Sequence, residues 1–276
     1  MTGHWAASEG YVLVRLLAKP TGGYRPIALY PTIFRVMGRA RAEAVRKWFA
    51  SLTEAIPEIN MAPRRQVSDA TYRTMMRQNL ARCKHQSGQG KEPQVCEVQW
   101  DLSKAFDRVD WQVAEAAAKQ FGYDQAAWRL SKQSYMWGRR LKMEGLVGPT
   151  LLPSRGIAAG SPFAAYELAL VLLPGIMQHR MRKNLQINIS IQLRLSVHVD
   201  DTMLTIEGFE AGTVVAAMHD EGTKILGFID SIGMVTEPKK GFVLASTQGL
   251  AKAATKLFGQ EFGALSREVK IGRAHV

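Results

Sequence analysis

The stretch from residue 93 to residue 111, PQVCEVQWDLSKAFDRVDW, constrains the fold more than any other part of the chain. Apolar and polar side chains alternate along its first half. The apolar members are Cys96, Val98 and Trp100, and the polar members are Glu97, Gln99 and Asp101. A period of two is typical of a strand with one buried face. We therefore predict a strand that ends at Asp101 and presents this carboxylate on its exposed face.

A helix is predicted soon after this strand. Phe106 lies five residues beyond Asp101, and either Asp107 or Asp110 can cap the helix. Aspartate is favoured at such a position because its side chain accepts hydrogen bonds from the N–H groups that the first helical turn leaves unpaired. Both aspartates remain candidates for the cap.

A second pair of carboxylates, Asp200 and Asp201, lies about 100 residues later in LRLSVHVDDTMLTIEG, between two alternating runs. In the first run, Leu193, Leu195, Val197 and Val199 share one face, and Arg194, Ser196, His198 and Asp200 share the other. Alternating runs joined by a short polar segment predict a hairpin with the two aspartates at its turn.

Aspartates at the ends of strands suggest a site for hard divalent cations. Mg²⁺ prefers carboxylate oxygen and is usually shared with substrate phosphates. Two such ions about 3.5–4 Å apart can activate an attacking hydroxyl and stabilise a leaving group. The structural alternative is that Asp101 and Asp107 only cap a helix and that the Asp200–Asp201 pair only forms a turn.

The charge of the chain favours a polyanionic partner. The 276 residues carry a net charge of +12, with 46% hydrophobic and 22% charged residues, as expected of a globular protein. The first 100 residues hold 15 Lys or Arg against 7 Asp or Glu, whereas the rest hold 21 against 17. A basic surface suits phosphate binding, because each neutralised phosphate releases counterions. A solvated basic surface is the alternative.

No segment is predicted to be secreted or to cross a membrane. Arg15 and Lys19 interrupt the apolar part of the N-terminus, and the apolar stretch 157–177 contains two prolines and a glutamate. The two cysteines, Cys83 and Cys96, lack the spacing of a metal site, so we expect a reducing intracellular setting.

Two of these motifs resemble those of a known family. DLSKAFDRVDW is similar to the first catalytic motif of reverse transcriptases, and HVDD is similar to their paired-aspartate motif, in the style of non-LTR (LINE-type) retroelements. The resemblance implies that Asp101 and Asp200 hold two Mg²⁺ ions, with Mn²⁺ as an alternative. It also implies that the Leu102 carbonyl is a metal ligand and that Asp201 assists. The family usually has an aromatic residue where His198 stands.

Phe106 falls at the sugar gate of this family. A bulky aromatic side chain there collides with a ribose 2′-hydroxyl and so favours DNA synthesis. A plain core role is the alternative for Phe106.

Two further motifs concern the nucleotide. KPTGGYRPIAL resembles the fingers hairpin of the family, which implies that Arg25 contacts the incoming triphosphate. GIAAGSPFAAYELALVLLP resembles the third palm motif, in which Gly160 lets the backbone approach a base pair or sugar, and Ser161 is a predicted N-cap. The family usually has glutamine where Ala159 stands.

The segment GFIDSIGMVTEPKKGFVLAS resembles the fourth palm motif. Alignment on Gly233 places Glu237 at the usual asparagine and Lys240 at the usual lysine. The resemblance implies that Lys240 protonates or neutralises the leaving pyrophosphate. Lys239 is an alternative for this role, and an exposed turn lysine is the structural alternative.

The resemblance implies a mixed α/β (α+β) polymerase right hand without its thumb, with an antiparallel palm sheet backed by helices. We expect fingers over 1–92, the palm over 93–250 and the start of the primer-grip and thumb connection over 251–276. The implied activity is RNA-directed DNA synthesis from dNTP on an RNA template with a DNA primer. The alternative is a retroelement remnant that binds nucleic acid without chemistry, which Ala159, His198 and the missing thumb favour.

Overall fold

The structure is a computed structural model that describes residues 10–20, 22–60, 76, 94–185, 191–237, 240–258 and 264–266. The strands are β1 (Tyr11–Ala18), β2 (Tyr24–Leu29), β3 (Gln94–Asp101), β4 (Gly138–Met143), β5 (Leu146–Leu151), β6 (Ile191–His198), β7 (Asp201–Gly208), β8 (Gly241–Ala245) and β9 (Ala264–Ser266). The helices are α1 (Thr32–Ala55), α2 (Ala105–Arg108), α3 (Trp111–Gln120), α4 (Gln125–Tyr135), α5 (Ala164–Leu185), α6 (Ala211–Ser231) and α7 (Gln248–Phe258).

The chain divides into two compact units. The first unit comprises residues 1–55 and 104–174, and the second comprises residues 56–103 and 175–276. Each unit contains its own sheet, so the two are described separately.

The sheet of the first unit has the order β2-β1-β4-β5. The predicted β1–β2 hairpin is confirmed, with Gly22 and Gly23 at positive φ in its turn. Strand β4 pairs with β1 in parallel and with β5 in an antiparallel hairpin. Glu144 and Gly145 connect β4 to β5, and both have positive φ, as a two-residue hairpin turn of type I′ requires.

The β4–β5 hairpin corrects one expectation from the sequence. The sequence pattern predicts one helix over residues 125–138, but α4 ends at Tyr135 and Gly138 begins β4. A Cβ atom at Gly138 would lie 2.5 Å from Thr150 Cγ2, so close pairing with β5 requires glycine here.

The cap of α3 is Asp110, whose carboxylate accepts hydrogen bonds from the N–H groups of Gln112 and Val113.

The sheet of the second unit has the order β6-β7-β3-β8-β9, with β3 at its centre. The pairs β6–β7, β7–β3 and β3–β8 are antiparallel, and β9 is parallel to β8. One face is apolar and contributes Val98, Leu195 and Leu204 to the core. Helix α6 packs on β3 and β7, and α7 packs on β8, which confirms an antiparallel sheet backed by helices.

The opposite face of this sheet is polar but only partly exposed. The predicted strand and its alternation are confirmed, with one difference at Glu97, which is buried. Its direct register partners are Thr205 on β7 and Leu244 on β8, and the Thr205 hydroxyl donates a hydrogen bond to it across 3.2 Å. Burial raises the pKa of Glu97.

Candidate active site

Two predicted site residues, Asp101 and Asp201, form a row with His198 across one face of the second sheet. In the strand register, Asp101 at the end of β3 lies opposite Asp201 at the start of β7, and Asp201 lies opposite His198 at the end of β6. Residues directly opposite in a sheet share a face, so all three side chains lie on the polar face. The structure therefore brings Asp101 and Asp201 together.

Asp200 lies in the turn that joins β6 to β7, as predicted. Its carbonyl accepts a hydrogen bond from the Leu102 N–H across 3.2 Å, which ties the hairpin turn to the end of β3. Val199 was expected to continue the apolar face of β6, but it adopts the left-handed conformation with φ of 57°. This conformation is costly for a β-branched residue, so the turn before Asp200 is strained.

The carboxylates of the row act on Asp200 electrostatically. Partial burial raises the pKa of Asp200 above its ordinary value, and the neighbouring Asp201 and Asp101 carboxylates raise it further. The Lys240 ammonium and a backbone hydrogen bond act in the opposite direction. A bound cation would relieve this mutual repulsion between the carboxylates.

Lys240 is the fourth member of the group. Its Nζ donates a hydrogen bond to Asp101 Oδ2 across 2.8 Å, and this contact raises the pKa of Lys240. The N–H of Glu237 also donates to the Asp101 carbonyl across 2.8 Å. The segment that resembles the fourth palm motif therefore contacts Asp101 through both backbone and side chain. Lys239, the alternative to Lys240, lies outside the described residues.

The donor set fits a divalent cation in its chemistry. Carboxylate and carbonyl oxygens are the ligands that Mg²⁺ prefers, and Asp101, Asp200, Asp201 and the Leu102 carbonyl supply them. The described residues include no ready-made cluster of three or more metal-ligating side chains. The Lys240 ammonium contacts an oxygen of Asp101, so a cation that bound Asp101 would compete with Lys240 for this carboxylate.

The other three predicted residues, Arg25, Phe106 and Gly160, lie in the first unit. A turn over residues 156–161 contacts the segments that carry the other two. The N–H of Ile157 donates to the Phe106 carbonyl across 2.8 Å, and the N–H of Ala28 on β2 donates to the Ala159 carbonyl across 2.8 Å. The backbones of Phe106 and of the strand that carries Arg25 are therefore both held by this turn.

Gly160 is required in this turn by the chain itself. It has φ of 119°, and a Cβ atom there would lie 2.2 Å from the Ala28 carbonyl oxygen. Strand β2 therefore lies too close to this position for any side chain, and the packing of the chain alone explains why glycine is needed. The role of Gly160 toward a substrate stays a prediction.

The sequence patterns did not indicate a basic face on the first sheet. Its centre consists of Tyr11, Arg15, Arg140 and Lys142, which are all exposed. Arg15 and Lys142 are direct register partners on β1 and β4, and the Arg140 guanidinium lies 5.9 Å from the centre of the Tyr11 ring. Among the described residues, no carboxylate forms an ion pair with these three cations. Like charges directly opposite one another destabilise a sheet, so this face favours an anionic partner.

No helix among the described residues has both the length and the apolar composition that a membrane crossing needs.

The sequence profile of the family described as reverse transcriptase (RNA-dependent DNA polymerase) matches residues 17–257. The chain belongs to the reverse transcriptase family. The description of this family is RNA-dependent DNA polymerase. No curated protein sequence matches the chain.

Solved structures of telomerases share the fold of this reverse transcriptase chain. The apo telomerase of Candida tropicalis aligns over 89% of this chain and 45% of its own, with 11% identity and a TM-score of 0.62. The same enzyme truncated from its C-terminal domain aligns over 88% of this chain and 52% of its own, with 11% identity and a TM-score of 0.57. The telomerase of Candida albicans, in complex with a TWJ fragment of telomeric RNA, aligns over 87% of this chain and 42% of its own. Its identity is 11% and its TM-score is 0.59. This chain spans about half the length of these proteins, and the likeness concerns the fold alone.

Proposed function

We propose that this reverse transcriptase chain catalyses templated DNA synthesis by nucleotidyl transfer from a dNTP to the 3′-hydroxyl of a DNA primer. The observation that carries the proposal is the group of Asp101, Asp200, Asp201 and Lys240 at one end of the second sheet. Three carboxylates and one cation within a single site supply both metal ligands and a group that can neutralise the leaving pyrophosphate.

Asp101 and Asp200 are the proposed principal ligands of two Mg²⁺ ions, with Mn²⁺ as an alternative, and Asp201 and the Leu102 carbonyl are the secondary ligands. When bound, the ions would lower the pKa of the primer hydroxyl and neutralise charge on the phosphates. Burial first, and then the neighbouring Asp201 and Asp101 carboxylates, raise the pKa of Asp200. A shared cation would relieve both the burial of negative charge and this repulsion, which supports the assignment.

Lys240 has a proposed role as general acid or electrostatic stabiliser. A lysine hydrogen-bonded to Asp101 is positioned beside the carboxylates and remains protonated, since the contact raises its pKa. Departure of pyrophosphate creates negative charge, which a positioned ammonium stabilises or protonates.

Three residues of the first unit have proposed roles toward the nucleotide. Arg25 contacts the triphosphate, because a guanidinium is permanently charged and bridges phosphate oxygens. Phe106 excludes a ribose 2′-hydroxyl, and the hydrogen bond from Ile157 to its carbonyl fixes its backbone. Gly160 contacts the base pair or sugar.

The proposed partners are an RNA template and a DNA primer, in an intracellular setting. The basic face formed by Tyr11, Arg15, Arg140 and Lys142 supports a nucleic-acid partner, because it is exposed and its cations lack carboxylate partners among the described residues.

We propose a non-LTR (LINE-type) retrotransposon as the source, on the similarity of DLSKAFDRVDW and HVDD to its motifs. The finer division into fingers, palm and connection is part of the same proposal.

A second candidate function is nucleic-acid binding without catalysis. Ala159 favours it, because a methyl group stands where the family usually has a glutamine side chain. The structure uses only the backbone of Ala159 for the hydrogen bond from Ala28.

Primer extension tests the proposal. Oligo(dT) annealed to poly(rA) is incubated with dTTP and Mg²⁺, and the intact chain is compared with Asp200→Ala. We expect extension that falls at least 100-fold in the variant. Asp230→Ala is the matched control, because Asp230 is an exposed aspartate on α6 of the same unit. Its extension rate should equal that of the unaltered chain.

The two candidate functions give different results. Binding of the primer-template with steep salt dependence, combined with no extension by any of the three proteins, would favour the binding-only function. Equal extension by the intact chain and Asp200→Ala would contradict the proposed site.

A further inference from the structure

Glu167 is a buried acid in the first unit with no role in the proposed chemistry. It lies on α5 in an otherwise apolar stretch from Phe163 to Leu173, and its side chain is fully buried. Burial of a carboxylate without partners is very costly, so such a residue is retained where it makes specific hydrogen bonds.

Two buried tyrosines provide these bonds. Tyr123 Oη donates to Glu167 Oε1 across 3.2 Å, and Tyr135 Oη contacts Glu167 Oε2. Among the described residues, the Tyr135 hydroxyl alone of the two makes a further hydrogen-bond contact, at 3.1 Å from Ser161 Oγ. A continuous chain of polar contacts therefore runs from Glu167 through Tyr135 to Ser161.

Ser161 belongs to the turn that holds strand β2. Its N–H donates to the Ala158 carbonyl across 3.0 Å, and the carbonyl of the neighbouring Ala159 accepts from Ala28 on β2. Gly160 packs directly on the Ala28 carbonyl. The polar chain from Glu167 thus ends on the residue that closes this turn.

We propose that Glu167 is a positioning residue that acts through Tyr135 on Ser161. It thereby fixes the turn over residues 156–161 and the strand β2 that is hydrogen-bonded to this turn. The importance of this positioning for catalysis rests on the proposed function, in which Gly160 and Arg25 contact the nucleotide. Glu167 itself is fully buried and does not touch substrate.

The protonation state of Glu167 sets the direction of the polar chain. A hydroxyl group has one proton, so Tyr135 cannot donate to Glu167 and to Ser161 at once. With the acid ionised, Tyr135 donates to it and accepts from Ser161. With the acid protonated, Glu167 donates to Tyr135, and Tyr135 donates to Ser161.

Near neutral pH, Glu167 is the group in this cluster that titrates. Burial raises its pKa to about 7, while the hydroxyl groups of Tyr135, Ser131 and Tyr123 lower it in part. The other titratable groups that face it are Tyr30, Tyr123 and Tyr135, whose pKa values burial raises far above neutrality. Arg139 and Asp124 are the charged groups beside these tyrosines, and Tyr166 acts on Tyr123.

A matched pair of variants tests the proposal. Tyr135→Phe removes the link to Ser161, whereas Tyr123→Phe removes an equally buried hydroxyl that contacts the same carboxylate without reaching the turn. Amide hydrogen exchange is measured in peptides that cover residues 24–30 and 156–163. We expect exchange at least fivefold faster than in the intact chain in both peptides of Tyr135→Phe, and unchanged exchange in Tyr123→Phe. Equal effects of the two variants, or no effect of either, would overturn the proposal.

Glu167→Gln provides the second measurement, because an amide cannot ionise. After correction for intrinsic rates, protection of the 156–163 peptide in the intact chain should change between pH 6 and pH 8, and this change should vanish in Glu167→Gln. A pH dependence that persists in Glu167→Gln would assign it to another group.

The same variants separate this inference from the proposed activity. If the chain extends primers, Tyr135→Phe should raise the KM for dTTP severalfold with a smaller change in kcat, and Tyr123→Phe should not. If neither the intact chain nor any variant extends primers, the polymerase proposal fails, while hydrogen exchange still decides whether Glu167 positions the turn.

Discussion

Lys240 Nζ and Asp101 Oδ2 form an ion pair of 2.8 Å at the site where divalent cations are proposed to bind. The lysine is therefore both a proposed participant in catalysis and a competitor for a metal ligand. Because binding of the cation must displace or share this contact, the two roles can be separated experimentally.

We expect Lys240→Gln to lower both the Mg²⁺ concentration that extension requires and the maximal rate of extension. Loss of the ammonium frees Asp101, so the Mg²⁺ concentration for half-maximal extension should fall severalfold. The maximal rate should fall roughly 10²–10⁴-fold, the usual contribution of a positioned proton donor. Extension rates are measured against Mg²⁺ concentration, with Lys224→Gln on α6 as the control. An unchanged maximal rate would assign Lys240 a structural role alone.

Phe106→Ala should reduce discrimination against ribonucleotides. A smaller side chain leaves space for the 2′-hydroxyl, and the ratio of kcat/KM for dTTP to that for UTP should fall roughly 10- to 100-fold. Phe209→Ala, at an exposed phenylalanine, is the control. If the ratio is unchanged while the protein loses about 3 kcal/mol of stability, Phe106 is a core residue.

Val199→Asn should stabilise the protein. Val199 has φ of 57°, and asparagine tolerates this conformation far better than a β-branched residue does. We expect the free energy of unfolding to rise by about 1 kcal/mol, measured by urea denaturation. Val235→Asn is a suitable comparison, since Val235 is exposed and its φ is not positive. Destabilisation by Val199→Asn would show that the turn is not strained.

Stability should depend on pH through Glu167. Its pKa is raised from 4.5 to about 7 in the folded state, so the folded protein binds this proton more tightly than the unfolded chain. The free energy of unfolding therefore falls by up to roughly 3 kcal/mol as pH rises from about 4.5 to about 7. Above about pH 7 it changes little.

Urea denaturation of the intact chain and of Glu167→Gln, at intervals between pH 5 and pH 8, isolates this contribution as the difference between the two curves. A constant difference across this range would contradict the raised pKa.

The basic face should contribute to the salt dependence of nucleic-acid binding. Replacement of Arg15, Arg140 and Lys142 by glutamine should lower the salt slope of binding to single-stranded RNA by about 2, at roughly 0.7 per phosphate contact. The control replaces Arg39, Arg46 and Arg129, three exposed arginines of α1 and α4, and so has the same net charge. Equal slopes for the two triple variants would show that only total charge matters.

Much of the second sheet could be predicted from the sequence, because its polar and apolar faces leave a period of two in β3 and β6. The pairing of Asp101 with Asp201 could only be expected from the family resemblance, since register between distant strands leaves no local pattern. The alternation also does not reveal that Glu97 is buried, because its register partners Thr205 and Leu244 come from distant parts of the chain.

The first unit was less predictable. Strand β5 is exposed at every residue, and β4 has three basic residues, so neither has the buried face that marks a strand. The Glu144–Gly145 step was the available sign of a turn. Similarly, Glu167 is the one charged residue in the apolar stretch 157–177, but its partners Tyr123 and Tyr135 come from other segments and could not be inferred from spacing.

The register of β3 with β7 also has a consequence for how the protein acquires its site. Asp101 and Asp201 are partners across about 100 residues of intervening chain. Closure of so long a loop is entropically unfavourable and tends to be slow. During synthesis, Asp101 therefore emerges long before the strand that completes its site. The proposed metal site is therefore a late product of folding, absent from any nascent chain that ends before β7.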